Sequence, residues 1–296
     1  MSFSLRSSCA AEPIPTKLVR VGEKWELQRA GKPFFIKGAG GGGSKPILGE
    51  CGGNSFRTWG VGTETQRELD EAHKLGLAVT VGIWLGHKEH GFRYDDAASV
   101  KKQFEAAQQA VEKYKNHPAV LLWAVGNEME VGNDDPAMWN AVQEIAKMIH
   151  AIDPSHPTMT VVAELGKANS QNIHKLCPDI DIVGINSYGG GVSLAERYRK
   201  TGATKPYVIT EFGPPGTWEI KMNAFGDCAE ATSTRKAEFY RDVYKASVLG
   251  AARSLFGVVR VHMGSQDRSD RHVVRDVFTG RASISRRRYD ARTVVG

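Results

Sequence analysis

The chain has 296 residues, of which 41% are apolar and 24% charged, ordinary values for a globular protein and enough for one large barrel or two modest domains. No run of 18 apolar residues occurs, which argues against a membrane-spanning helix. The net charge of +6 lies wholly in residues 251–296, where ten arginines stand against four aspartates, so residues 1–250 are neutral and a basic nucleic-acid-binding face on the body is not supported.

The opening MSFSLRSSCAAEPIP has the small residues and Ala-Ala pair of a signal-peptide end but lacks the apolar stretch of about 7–15 residues that a signal needs. Residues 1–24 are therefore expected to be a tail or the remnant of a truncated signal. The second case implies export to the periplasm or outside the cell, the first a cytoplasmic protein. Cys9, Cys51, Cys177 and Cys228 form no Cys-x-x-Cys pair, and no histidine cluster has zinc spacing, so no metal is expected.

From residue 33 onward, short apolar runs alternate with longer amphipathic ones. The run at 33–39 reads as a first strand and 54–59 as a second; a helix over 63–75 stops at Gly76. A third strand at 77–84 leads to a helix over 97–115, and a fourth spans 117–128. Pro136 suits a first helical turn and opens a helix to about residue 152. Strands five to seven fall at 157–164, 180–187 and 205–212, with helices near 170–176, 193–200 and 233–249.

Strands that are almost continuously apolar are buried on both faces, which means a parallel sheet, doubly wound or closed. Seven units in succession and polar residues gathered at the C-terminal strand ends favour a barrel. The glycine-rich 38–44 after the first strand lacks the Gly-Lys-Ser/Thr ending of a phosphate loop and the spacing of a dinucleotide fingerprint, so it reads as a flexible loop at the barrel mouth and no cofactor is expected.

Three strands end on or beside a carboxylate, Glu164 closing the fifth, and two of these form a pair: Asn127-Glu128 closes the fourth and Glu211 lies at the end of the seventh. A carboxylate ending an apolar run is costly to bury and belongs at the mouth. Strands four and seven lie across an eight-stranded barrel from one another, and cleaving a glycosidic bond needs two facing carboxyl groups.

Taken in order, FFIKGAG, NSFRTWG, HPAVLLWAVGNE, NSYGG and VITEFG resemble the clan A glycoside hydrolases. The closest echo is the catalytic barrel of the glycoside hydrolase family two group, with some likeness to the β-glucanosyltransferases, over roughly residues 25–250. The resemblance implies an α/β (β/α)₈ TIM barrel and a retaining hydrolase of β-linked saccharides, with Glu128 as acid/base and Glu211 as nucleophile. It also implies that Asn127 holds the sugar 2-hydroxyl and that Arg57 and Tyr188 hydrogen-bond the nucleophile. Trp59, Trp84 and His87, at or just past strand ends, are expected to touch substrate, the aromatic faces stacking on sugar rings. Glu164, Asn186 and Trp218 rank below them. The expected partner is an oligo- or polysaccharide, not nucleic acid. The alternatives are transglycosylation of β-glucans at the same site, or an inactive carbohydrate-binding barrel or frameshifted fragment.

The resemblance ends after residue 250, where the clan expects an eighth strand bearing a tryptophan and then a closing helix. This chain has neither there, and its cations change from 19 lysines and 10 arginines before residue 251 to arginine alone. Met263-Gly264 must be encoded ATG-GGN, so reading one base later forces a tryptophan codon. Val261 to Gly264 can then become Phe-Thr-Trp-Gly, and His272 to Phe278 can become Thr-Trp-Tyr-Gly-Met-Phe. A change of reading frame near residue 252 is therefore the first expectation, with a natural basic tail as the alternative. Residues 251–296 would contribute little to the core, and the barrel would stay open at strand eight.

Overall fold

The structure is a computed structural model in which residues 12–132, 135–229, 231–249 and 255–261 are described, the last as backbone. Eight parallel strands close into a barrel: β4 (Ile36–Gly40), β5 (Ser55–Arg57), β6 (Ala78–Ile83), β7 (Val120–Asn127), β8 (Thr158–Val162), β9 (Ile182–Asn186), β10 (Tyr207–Glu211) and β11 (Leu255–Val261), with β11 between β10 and β4. Helices α1 (Lys45–Glu50), α2 (Thr65–Lys74), α3 (Ala97–Tyr114), α4 (Pro136–Ile152), α5 (Lys167–Leu176), α6 (Leu194–Lys200) and α7 (Ser233–Val243) connect them. Of these helices the sequence reading lacks only the short α1. None of the described helices is long and apolar enough to cross a membrane.

Side-chain alternation builds two cores. Ile36, Ala78, Leu122, Ala124, Met159, Val161, Ile182 and Val208 fill the barrel interior, whereas Val79, Val81, Val183, Ile185 and Ile209 pack outward among residues of the helical shell such as Val142, Ile145 and Ile149 of α4. Helix α4 starts where the sequence places it. The Asp135 carboxylate accepts from the Ala137 N–H at 2.9 Å, and Pro136 needs no partner at the first position.

Two expected boundaries are corrected. Residues 16–24 are not tail: β1 (Thr16–Val21) and β2 (Lys24–Arg29) form an antiparallel hairpin, extended by β3 (Lys32–Pro33), under the N-terminal end of the barrel. Leu27 of the hairpin is buried in the interior cluster, and the Arg29 guanidinium donates to the carbonyls of Val120 (2.8 Å) and Pro118 (2.5 Å) where β7 begins. Lys17 donates to the Pro154 carbonyl and Trp25 Nε1 to that of Thr204 (3.1 Å).

The barrel also extends beyond residue 250. Gly257 to Val261 pair with Ile36 to Gly40 on one side, and Leu255 and Val258 pair with Tyr207 and Ile209 on the other. The strand is thus present in the sequence as written, against the expectation of an open barrel. The run LFGVVRV is rich in β-branched and aromatic residues, and it satisfies the two sheet edges that would otherwise be unpaired. The rest of the expected tail, 251–254 and 262–296, lies outside the described residues.

At the floor of the barrel, His150 of α4 bonds Asp181 at 2.9 Å, and Asp181 also accepts from the Thr158 amide at 2.8 Å. The Asp181 bond raises the imidazole pKa above its ordinary value against an opposing effect of burial. Burial would raise the carboxyl of Asp181, but His150 and Thr158 together hold it below its usual range. A raised histidine stabilises the fold below its unfolded pKa and ceases to do so as pH climbs through the folded value. The contribution of Asp181 exists above the usual carboxylate range and is lost as pH falls through its depressed value. His150→Gln is therefore expected to lower the melting temperature more at pH 6 than at pH 8.5, measured by differential scanning calorimetry. An equal loss at both pH values would show that the charge of the pair is irrelevant.

Candidate active site

At two strand tips the period-two rule breaks. Opposite β8, β7 inserts one extra residue between Ala124 and Asn127; opposite β9, β10 inserts one between Ile209 and Glu211. Gly126 adopts φ 74° and Glu128 φ 54°, a left-handed conformation that is uncommon for a non-glycine residue and concentrated where function holds it. As a result two successive side chains point inward at each tip, Asn127 with Glu128 and Thr210 with Glu211. These tips carry the two predicted carboxylates.

Three donors surround Glu211. Arg57, at the end of β5, reaches Oε1 through Nη1 at 3.2 Å, and the Trp59 indole N–H reaches the same oxygen at 3.1 Å. The Tyr188 hydroxyl, just past β9, donates to Oε2 at 2.7 Å. Arg57 is 1% exposed; burial lowers its pKa, and the charge of Glu211 opposes that shift. Burial, reinforced by the negative charge of Glu211, pushes the Tyr188 phenol well above its usual value, so it stays a donor. Arg57 and Trp59 thus share one Glu211 oxygen while Tyr188 holds the other.

Glu128 has a different setting. Burial raises its pKa, the charge of Glu211 adds to that, and the bond from Asn186 and the charge of Arg57 only partly offset it. Asn186 Nδ2 donates to Glu128 Oε1 at 2.6 Å. Arg57 links the pair, because its Nη2 donates to Asn127 Oδ1 at 2.6 Å while Nη1 holds Glu211. With Oδ1 committed, the amide N–H₂ of Asn127 is the part left for another acceptor.

Arg57, Asn127, Glu128, Tyr188 and Glu211 are thus brought into one hydrogen-bonded cluster at the C-terminal mouth. Trp59, half-buried, joins it in a way the sequence reading lacks, as a donor to Glu211. Its position explains two glycines. A Cβ on Gly40 would lie 2.8 Å from the Trp59 ring, and one on Gly82 would lie 2.4 Å from the Thr58 carbonyl oxygen. Trp84, 49% exposed, stacks on His87 at 4.8 Å at the lip of the mouth. Trp218, 73% exposed, meets the Tyr188 ring edge-on at 5.3 Å. Glu164 braces a loop instead, bonding Arg197 (3.0 Å) and the Ser187 hydroxyl (2.7 Å).

Asn186, ranked low from sequence, contacts Glu128 directly, and Thr210, which donates to Asn186 Oδ1 at 2.7 Å, was missed. The signal for Asn186 was its place at a strand end beside Tyr188; a threonine within a strand carries none. Glu130 was also missed. It accepts from the Ala163 amide at 2.7 Å, and burial pushes its carboxyl up to about 7.

The family model for the glycosyl hydrolases family 2 TIM barrel domain matches residues 68–240, more than half of the chain. A β-glucuronidase of Streptococcus agalactiae is 26% identical over 221 residues, covering 62% of this chain and 35% of that protein. Among solved structures, a β-glucuronidase from an uncultured Clostridium superposes with a TM-score of 0.67 at 17% identity, covering 90% of this chain and 53% of its own. A family 2 β-galacturonidase from Eisenbergiella tayi, bound to galacturonate, gives 0.64 at 17%, covering 90% and 54%. The chain thus spans about a third of the curated relative and about half of each solved one.

Proposed function

Since the chain belongs to the glycosyl hydrolases of family 2 through their TIM barrel domain, we propose that it cleaves a β-linked glycoside with retention of configuration, Glu128 serving as acid/base and Glu211 as nucleophile. The observation that carries this is the contrast between the two carboxyls. Glu211 accepts from three donors, one of them the Arg57 guanidinium, whereas burial raises the Glu128 carboxyl above its usual range and favours the protonated acid there.

In the first step a Glu211 oxygen forms a bond to C1 as the glycosidic C–O bond breaks, and the Glu128 proton passes to the departing oxygen. In the second, Glu128, now a carboxylate, takes a proton from water as the water oxygen replaces Glu211 at C1. The Asn127 amide holds the sugar 2-hydroxyl, a contact that gains value as positive charge develops on the ring. The relatives' names put β-uronides first among the glycosides to assay. A 2-deoxy-2-fluoro β-glycosyl fluoride of the cleaved sugar is expected to stop turnover and add one glycosyl mass to the peptide containing Glu211. Labelling of another residue, or none with an active enzyme, would refute the assignment.

The change of reading frame near residue 252 belongs to the same proposal, because β11 and the mouth beside it lie past that point. The support is compositional: lysine disappears, and the shifted frame yields tryptophan. Sequencing the DNA across codons 245–296 is expected to show a gained or lost base, and the restored chain should melt at a higher temperature than the present one. An unbroken frame in the native gene, or no gain in stability, would refute it.

A further inference from the structure

The orientation of each amide at the site follows from one residue that can only donate. Arg57 Nη2 lies 2.6 Å from Asn127 Oδ1, so that atom is an acceptor. Asn186 Nδ2 lies 3.3 Å from the same oxygen and 2.6 Å from Glu128 Oε1. A flipped Asn186 would set its oxygen against two oxygens, so the amide must present N–H₂ there and turn Oδ1 toward Thr210. The Thr210 hydroxyl, 2.7 Å away, donates to it. Asn186 and Thr210 are both fully buried, so water cannot replace either bond.

We propose that Asn186 and Thr210 are positioning residues for proton transfer at Glu128: Thr210 sets the Asn186 amide, and the amide holds Glu128 Oε1, leaving Oε2 alone to carry the transferable proton. The inference rests on the acid/base reading of Glu128. In the glycosylation step the proton moves from Oε2 to the glycosidic oxygen, and the electron pair of the broken C–O bond stays with the leaving alcohol. The bond from Asn186 becomes charge-assisted as Glu128 turns into a carboxylate, so it favours proton release. Against it stand burial and the negative charge of Glu211, while Arg57 acts in the same direction; of the other titratable groups nearby, Glu130 is itself pushed up to about 7 and Tyr188 stays neutral.

The test is a carbon-13 NMR titration of the Glu128 side-chain carboxyl, assigned by its disappearance in Glu128→Gln. Thr210→Val removes the hydroxyl at nearly constant volume, Asn186→Ala removes the donor, and Thr210→Ser keeps the hydroxyl. Thr210→Val and Asn186→Ala are expected to raise the Glu128 midpoint by about 0.5–1 pH unit, the loss of one stabilising bond to the charged form, with Thr210→Ser at the wild-type value. In turnover, Thr210→Val should cost about tenfold more with a methyl glycoside than with a 4-nitrophenyl glycoside, because only poor leaving groups need the proton. An unchanged midpoint in a folded Thr210→Val protein overturns the proposal whether or not Asn186→Ala folds. So does a shift in Thr210→Ser as large as in Thr210→Val. The titration needs no catalysis, so midpoint shifts in the variants together with no glycoside turnover by the wild-type chain would overturn the glycosidase reading instead.

Discussion

Glu211→Ala is expected to lower kcat by about 10⁵–10⁶-fold, the scale on which removal of a covalent nucleophile acts. The substitution leaves Arg57, Trp59 and Tyr188 aimed at an empty, positively biased space. Azide fits that space and is itself a nucleophile, so adding it should restore turnover of a 4-nitrophenyl glycoside and release the glycosyl azide of inverted configuration. Glu128→Ala should behave otherwise. It loses about 10²–10⁴-fold with poor leaving groups, keeps glycosylation of good ones, and with azide gives the product of retained configuration. Product configuration is read by proton NMR. If azide rescues neither variant, or the two configurations are exchanged, the two roles are wrongly assigned.

Arg57→Met is expected to cost about 3–5 kcal/mol of folding stability, the range found when one member of a buried ion pair is removed. The guanidinium is buried and bonds Glu211 and Asn127 at once, so its loss leaves a buried carboxylate with less compensating charge and an amide oxygen without its partner. Adding Glu211→Gln to Arg57→Met should recover part of the loss, since the uncompensated charge then disappears. Urea denaturation of the four proteins in this cycle measures the coupling. Losses that simply add would show that Arg57 and Glu211 do not depend on one another for stability. Activity of Arg57→Met should fall with that of Glu211→Ala, since the anion is no longer held.

The strands of the barrel were legible because both their faces are buried, and that gives long apolar runs; Val120–Asn127 is buried at every position. Glu128 and Glu211 were legible because a charge at the end of such a run has no structural reason to be there. The hairpin at 16–29 was hidden because only its inner face meets the barrel, and Lys17, Arg20, Lys24 and Arg29 give it the composition of a tail. Strand β11 was hidden by Arg260 and by the missing tryptophan, although its backbone pairing needs neither. Thr210 could not be found by pattern: alternation puts it and Glu211 on opposite faces, and only the extra residue in β10 turns both inward.

That extra residue has a consequence for anyone wishing to move this chemistry to another barrel. A regular strand offers one inward side chain at its tip; β7 and β10 each offer two, and the network of Arg57, Asn127, Glu128, Asn186, Thr210 and Glu211 needs all four. Grafting six side chains onto evenly registered strands would point half of each tip at the helices. The portable unit is a stretch of backbone, Gly126 at φ 74° included, and a host barrel must accept two insertions before it can accept the residues.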